Sequence, residues 1–297
     1  MAGLPTIGEA ISRAADAFER AGLALGHGTA TYDDEATFLI LETLNLPQGD
    51  LDAVIGRKIT SSEAAAIKKV IDTRIATRIP APYIVNKAYI QGIPFFVDRR
   101  VIVPRSFIAE LLLGDGLLGS PAFIPEPDAV TRVLDLCTGS GCLAIVAAML
   151  FPNARIDAVD LSSDALEVAK INLTQHDLSD RIALYHGDLF APLGNACYDL
   201  ILTNPPYVDA DAMAALPDEY RAEPELALAG GNDGLDIVRR IVDRARQYLS
   251  PDGALLCEIG SGREALERSY PDLNVMWLDT AGSEGEVFWT AARDLPA

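Results

Sequence analysis

Apolar positions change their period twice along this 297-residue chain, and each change marks a different kind of structure. Over residues 7–25 and 34–44 apolar residues recur at helical spacing. Thr60-Ser61-Ser62-Glu63 has the form of a capping box, in which hydroxyl and carboxylate satisfy each other's backbone N–H, and predicts a helix that ends before Pro80. Residues 83–90 and 95–103 are rich in aromatic and β-branched side chains around Gln91-Gly92-Ile93-Pro94, which predicts a β-hairpin. Glycines and prolines between 115 and 130 then erase any period. Beyond them, apolar runs at 133–136, 155–160, 182–186, 200–203 and 254–259 alternate with helical stretches such as 165–175 and 235–248. That alternation predicts an α/β fold, a doubly wound and mostly parallel sheet. No internal repeat or low-complexity tract is present.

Ligands of doubly wound sheets lie beyond the carboxyl ends of the strands, so the loops that follow each strand carry the candidate chemistry. The first expected strand runs into Asp135-Leu136-Cys137-Thr138-Gly139-Ser140-Gly141, a Gly-rich turn that lets a ligand approach the backbone. Asp160 ends the second, 21 positions beyond Gly139, a spacing at which a carboxylate can accept both hydroxyls of a ribose. An adenosine ligand fits this pair better than a dinucleotide, because a full G-x-G-x-x-G is absent; a turn needed only for packing is the plain alternative. After the third strand, Asp188 in Gly187-Asp188-Leu189 is placed to accept from an adenine amine or to cap a helix.

After the fourth comes Asn204-Pro205-Pro206-Tyr207. The nitrogen of a planar NH2 group is a poor nucleophile because its lone pair is delocalised. Two acceptors that fix both N–H bonds, the Asn204 Oδ1 and the Pro205 carbonyl, suit such a group. Pro205 and Pro206 have fixed φ and hold that carbonyl in a pre-set geometry, and Tyr207 offers a flat wall. A simple Asn-Pro turn is the competing explanation.

Composition narrows the partners. A hydrophobic content of 49% is ample for a packed core. The 19 uncharged residues 136–154 are as long as a membrane span, but their polar, Gly-rich opening and Pro152-Asn153 ending predict a buried turn and helix. A formal charge of −19 opposes binding to a phosphate backbone, so no direct DNA binding is expected and a basic protein is the better partner; acidity that serves only solubility is the plain alternative. Four cysteines without a C-x-x-C pair, and no basic, apolar leader at the start of the sequence, make a cytoplasmic location the expectation. No metal is expected: Cys137 and Cys142 lack a nearby histidine, and His27, His176 and His186 lack ligand spacing.

Taken together, Asp135 to Gly141, Asp160, Asp188 and Asn204-Pro205-Pro206-Tyr207 resemble class I S-adenosylmethionine-dependent methyltransferases. Within that class the chain is similar to the protein-(glutamine N5) methyltransferases. The resemblance spans nearly the whole chain and includes Val103-Pro104-Arg105, Glu223-Pro224-Glu225-Leu226-Ala227-Leu228 and Gly231-Asn232-Asp233-Gly234-Leu235. It implies a Rossmann-like methyltransferase domain (105–297), a helical N-terminal substrate-recognition domain (1–82) and a connecting hairpin (83–104). It implies S-adenosyl-L-methionine bound by Asp135, Cys137, Thr138, Gly139, Ser140, Gly141 and Asn204, with ribose on Asp160, adenine beside Asp188 and Leu189, and the methyl aimed at a glutamine held by Asn204 and Pro205.

Of the two bacterial branches of that family, one modifies release factors and one the third large-subunit ribosomal protein. Ser106-Phe107-Ile108-Ala109-Glu110 after Pro104-Arg105, Gly26-His27-Gly28-Thr29, Asn86-Lys87-Ala88, Cys137 in place of glycine, and Leu216-Pro217-Asp218-Glu219-Tyr220-Arg221 resemble the ribosomal-protein branch. A nucleic-acid amino-group methyltransferase and a donor-binding assembly module are the other two readings. Arg105 is expected to pair with a carboxylate and Glu258 to be structural. Residues 219–225 form either an acidic rim for a basic protein or a solvated loop.

Overall fold

The computed structural model describes residues 4–297. Five helices come first: α1 (Ile7–Ala21), α2 (Tyr32–Thr43), the short α3 (Leu51–Val54), α4 (Ser61–Thr77) and α5 (Ala81–Val85). The expected capping box starts α4: Thr60 Oγ1 accepts from the Glu63 N–H at 3.2 Å, and Glu63 returns a carboxylate to the Thr60 N–H at 2.7 Å. Thr6 and Glu9 repeat the device on α1. Ile7, Phe18, Leu39 and Ile40 are fully buried among these helices and form a separate core.

The hairpin is shorter than its composition predicts. Its strands are β1 (Ala88–Ile90) and β2 (Ile93–Phe95), in antiparallel register with Ile90 opposite Ile93. Upstream, residues 83–85 belong to α5, which Asn86 stops in a left-handed conformation at φ 53°. Downstream, the backbone of Phe96 has exchanged a strand partner for a side chain: Asn172 Oδ1 accepts its N–H at 2.7 Å, and Asn172 Nδ2 donates to its carbonyl at 3.1 Å. An amide side chain can thus satisfy a β-competent backbone without a ladder.

After α6 (Phe107–Leu113) the chain alternates β3 (Arg132–Leu136), α7 (Cys142–Leu150), β4 (Arg155–Asp160), α8 (Ser163–Gln175), β5 (Ile182–His186) and β6 (Tyr198–Thr203). It then runs through α9 (Ala210–Ala215), α10 (Asp236–Ala245), β7 (Leu249–Glu258), α11 (Arg263–Ser269), β8 (Met276–Leu278) and β9 (Val287–Ala291). The seven strands lie in the order β5-β4-β3-β6-β7-β9-β8, with β9 antiparallel to both neighbours and the first five parallel. Pattern alone singled out neither α6, α11 nor the last two strands. One apolar core lies on each face of the sheet, and Ile90 and Phe95 of the hairpin join one of them. The uncharged run 136–154 is a strand end, a turn and the buried α7, with Ala144 to Ala147 fully covered. Among the described residues, no helix is long and apolar enough to cross a membrane.

Candidate active site at the switch point of the sheet

Register brings the site together. Leu136 of β3 lies opposite both Val159 of β4 and Thr203 of β6, and Thr203 lies opposite Cys257 of β7. The residue that follows each of these along the chain is Cys137, Asp160, Asn204 or Glu258, one row across four neighbours. The chain moves from β3 outward to β5 and then returns to β6, so this row straddles the reversal of strand order where such sheets bind ligands. Thr203 Oγ1 donates to the Leu136 carbonyl at 3.0 Å and stitches the two central strand ends.

Two carboxylates shape the turn between β3 and α7. Asp135, fully buried, accepts the Thr138 hydroxyl at 2.6 Å and the Ala144 N–H at 3.0 Å. Asp160 accepts the Gly139 N–H and the Ser162 N–H, each at 2.8 Å. Burial pushes the Asp135 carboxyl up to about 7 against the pull of Thr138 and Ala144, and it raises Asp160 against its backbone amides. Cys137 adopts φ 59° and Gly139 φ 54°. Glycine takes that left-handed conformation freely, whereas a side chain costs roughly 1–2 kcal/mol there. That is the physical reason a glycine would suit the Cys137 position, and burial keeps the Cys137 thiol protonated by raising its pKa.

A cavity of about 160 Å³ opens above this turn. Of the expected residues, Cys137, Gly139, Asp160, Asp188, Leu189, Asn204 and Pro206 line it. Asp135, Thr138, Ser140 and Gly141 lie behind the wall, where they form the turn. Asp188 does not cap a helix; one of its oxygens takes Arg240 Nη2 at 2.6 Å. Sequence reasoning had not named Arg240, Ile237 or residues 100–102, which also line it.

Pro205 and Tyr207 face a second cavity of about 210 Å³, together with Arg105, Leu216 and Tyr220. Asn204, Ile102 and Ala227 line both cavities, so the two meet at Asn204. Among the described residues, neither the Asn204 side chain nor the Pro205 carbonyl has a hydrogen-bond partner, which leaves both free to accept from a ligand. Tyr207 is held from behind by Glu258, itself fully buried and hydrogen-bonded by the Ser106 hydroxyl at 2.7 Å and the Phe107 N–H at 2.9 Å. The backbone after Tyr207 is fixed by Val208, which bonds Leu228 at 2.9 Å and Gly230 at 2.8 Å.

The family model described as methyltransferase small domain matches residues 119–217, the segment that carries the turn, Asp160, Asp188 and Asn204 to Tyr207. A ribosomal protein uL3 glutamine methyltransferase from Bradyrhizobium diazoefficiens is 57% identical over 94% of this chain and 88% of its own length. Its namesake from Burkholderia pseudomallei is 50% identical over 98% of this chain and 96% of its own. The chain belongs to this family. By structure, a methyltransferase from Pyrococcus furiosus aligns with 79% of this chain and 99% of its own at TM-score 0.49 and 14% identity.

In this uL3 glutamine methyltransferase family member the acidic segment after Tyr207 is neither a rim nor a solvated loop throughout. Glu219 and Glu223 are 0% and 5% exposed, and only Glu225 faces solvent. Glu219 lies 3.0 Å from Arg78 Nε and accepts the Ala24 N–H at 3.0 Å, so it is spent on docking the N-terminal helices. Tyr220 donates to the Leu25 carbonyl at 3.1 Å and packs on the His27 ring at 4.3 Å. A Cβ on Gly26 would fall 2.0 Å from the Tyr220 hydroxyl, so this close approach requires glycine. Two of the segments that marked the branch, 26–29 and 216–221, are thus one contact. Arg105 pairs with a carboxylate, as expected: Glu223 receives its two Nη groups at 2.8 and 2.7 Å.

Proposed function

We propose that this chain transfers a methyl group from S-adenosyl-L-methionine to the side-chain amide nitrogen of a glutamine in ribosomal protein uL3. The observation that carries the reading is the pair of unpartnered acceptors, Asn204 Oδ1 and the Pro205 carbonyl, where two cavities meet. Family membership names the acceptor.

The first cavity suits the donor. Its walls are largely apolar, as a nucleoside face requires, and its polar groups include the backbone turn, Asn204, the carboxylates of Asp160 and Asp188, and Arg100 and Arg240. A Cβ at Gly139 would meet nothing within 4 Å, so the turn leaves room beside it. Asp160 would hold the ribose hydroxyls and Asp188 and Leu189 the adenine edge, while Asp135, Thr138, Ser140 and Gly141 keep the turn in shape. Bound there, the donor supplies an electrophilic methyl on a positively charged sulfur.

The second cavity would admit the glutamine side chain. Asn204 and Pro205 accept its two N–H bonds, which orients the nitrogen lone pair toward the first cavity. Both acceptors reject a carboxylate, since it brings oxygen lone pairs to oxygen lone pairs. Pro206 stiffens the segment and Tyr207 walls the amide plane. Alignment of this kind contributes on the order of 7–11 kcal/mol to bimolecular reactions. No strong base is required, because an alkylated amide nitrogen loses its proton readily.

Incubation with S-adenosyl-L-methionine and, separately, unmodified uL3 or a release factor, followed by tandem mass spectrometry, tests the reading. One added methyl on a glutamine of uL3 alone is expected. Methylation of the release factor alone would overturn the partner, and methylation of neither would shift the reading to nucleic acid or to a donor-binding role.

A further inference from the structure

Residues 223–228 stood out in the sequence, yet the reaction as derived gives their first member nothing to do. Glu223 is nevertheless buried and saturated with partners from two distant segments. Its Oε1 accepts the Val103 N–H at 2.8 Å and Arg105 Nη1 at 2.8 Å, and its Oε2 accepts Arg105 Nη2 at 2.7 Å. From the N-terminal helices, His27 Nε2 approaches Oε2 to 3.6 Å. The Val103–Arg105 segment and Glu223's own segment, joined in this way, are the ones that wall the cavities. Residues 100–102, just before Val103, line the first cavity, as do Pro224, Leu226 and Ala227, just after Glu223. Ile102 from one segment and Ala227 from the other line both cavities. Arg105 itself lines the second, 5.6 Å from the Tyr220 ring.

We propose that Glu223 is a positioning residue that clasps residues 100–105 to residues 224–228, making them one wall shared by the donor and acceptor cavities. Its two halves act differently. Acceptance of the Val103 N–H fixes the segment over the donor. The charged fork with Arg105 neutralises a guanidinium beside the acceptor, so that the second cavity presents no net charge to an uncharged carboxamide. A full-charge ion pair with two parallel hydrogen bonds is the geometry that best holds an arginine in one orientation.

This proposal rests on the amide methyltransferase reading, and the test separates the two. Glu223→Ala removes both halves, whereas Glu223→Gln retains an oxygen for the Val103 N–H and removes the charge. Calorimetry with S-adenosyl-L-methionine should show about tenfold weaker binding in Glu223→Ala and a change under threefold in Glu223→Gln. With uL3 as acceptor, both variants should raise its KM about tenfold. Donor affinity unchanged in Glu223→Ala, or kcat lowered in both variants with every KM and Kd intact, would overturn the clasp and leave a merely structural residue. Should Glu223→Ala not fold, Glu223→Asp keeps the charge but is one methylene too short to span both partners, and is expected to weaken donor binding at least fivefold. If the wild-type protein fails to methylate uL3, the functional reading fails while calorimetry still decides the clasp.

Discussion

Tyr207 donates its hydroxyl to Glu258 at 3.0 Å, so the wall of the second cavity is anchored to the end of β7, two strands from Asp160's neighbour β3. Glu258 is fully buried, and burial raises its carboxyl and drives the Tyr207 phenol well above its usual range. Tyr207→Phe removes the donor and leaves a buried oxygen unpaired, a cost of about 1–3 kcal/mol. We expect a lower melting temperature and roughly tenfold slower transfer as the ring loses its tether. An unaltered kcat would show that the ring needs no anchor.

Asn204 and Asp160 sit in the same row but should fail differently. Asn204→Ala is expected to leave donor affinity within a few-fold and to reduce methyl transfer about a hundredfold or more, in keeping with losses seen when a charge-orienting group is deleted. Asp160→Ala is expected to weaken donor binding by about tenfold, the worth of one or two hydrogen bonds to a ligand. Calorimetry and single-turnover rates on both variants check this; equal loss of binding and transfer in Asn204→Ala would remove its role as amide acceptor.

Arg74 is fully buried between α4 and its neighbours, with Nε 2.7 Å from Glu35 Oε1, Nη2 3.0 Å from the Ala24 carbonyl and Nη1 3.7 Å from Glu219. Arg74→Met strands Glu35, which is 1% exposed, and should cost about 3–5 kcal/mol. The double variant Arg74→Met/Glu35→Gln removes the stranded charge and should recover part of that loss. Urea unfolding of the wild type, of Arg74→Met, of Glu35→Gln and of the double variant measures the coupling.

Stability should depend on pH through carboxylates of opposite sign, Asp135 and Glu223 among them. Asp135 ordinarily titrates at 3.8 and is raised by burial to about 7, so between those values the folded state keeps a proton that the unfolded state has lost. Unfolding free energy therefore falls as pH rises through that window and levels off above it. For Glu223, burial pushes upward, but His27 and Arg105 prevail and hold it at about 2 instead of 4.5. Its contribution is complete above 4.5 and disappears as pH drops toward 2. Asp135→Asn should flatten the decline between about pH 4 and 7 in urea titrations. A decline of the same slope in that variant would assign it to another group.

Strand ends were legible because parallel strands buried on both faces are written as continuous apolar runs, and the residue after each run must face the carboxyl edge. Cys137, Asp160 and Asn204 were found in that way, and β4 and β5 match their expected limits. Glu258 stood at a strand end too, but its tie to Tyr207 spans 51 positions and its ties to Ser106 and Phe107 span 152 and 151, distances no local pattern encodes. Glu223 stood out in a motif, but its partners were hidden for the same reason, its bonds reaching back 118 and 120 positions. The overlong hairpin came from composition: aromatic and β-branched residues suit an extended backbone, but the partner of Phe96 turned out to be the side chain of Asn172.

Cys137, Asp160, Asn204 and Glu258 each end or directly follow one of four adjacent strands, so their lateral spacing is set by the hydrogen-bond ladder that stops beside them rather than by the loops they begin. Three strand intervals of roughly 4.8 Å separate Asp160 from Glu258, about 14 Å in all. Loops beyond this row can lengthen or change sequence without altering that ruler. A slip of one residue in any of the four strands would instead turn its member of the row to the opposite face.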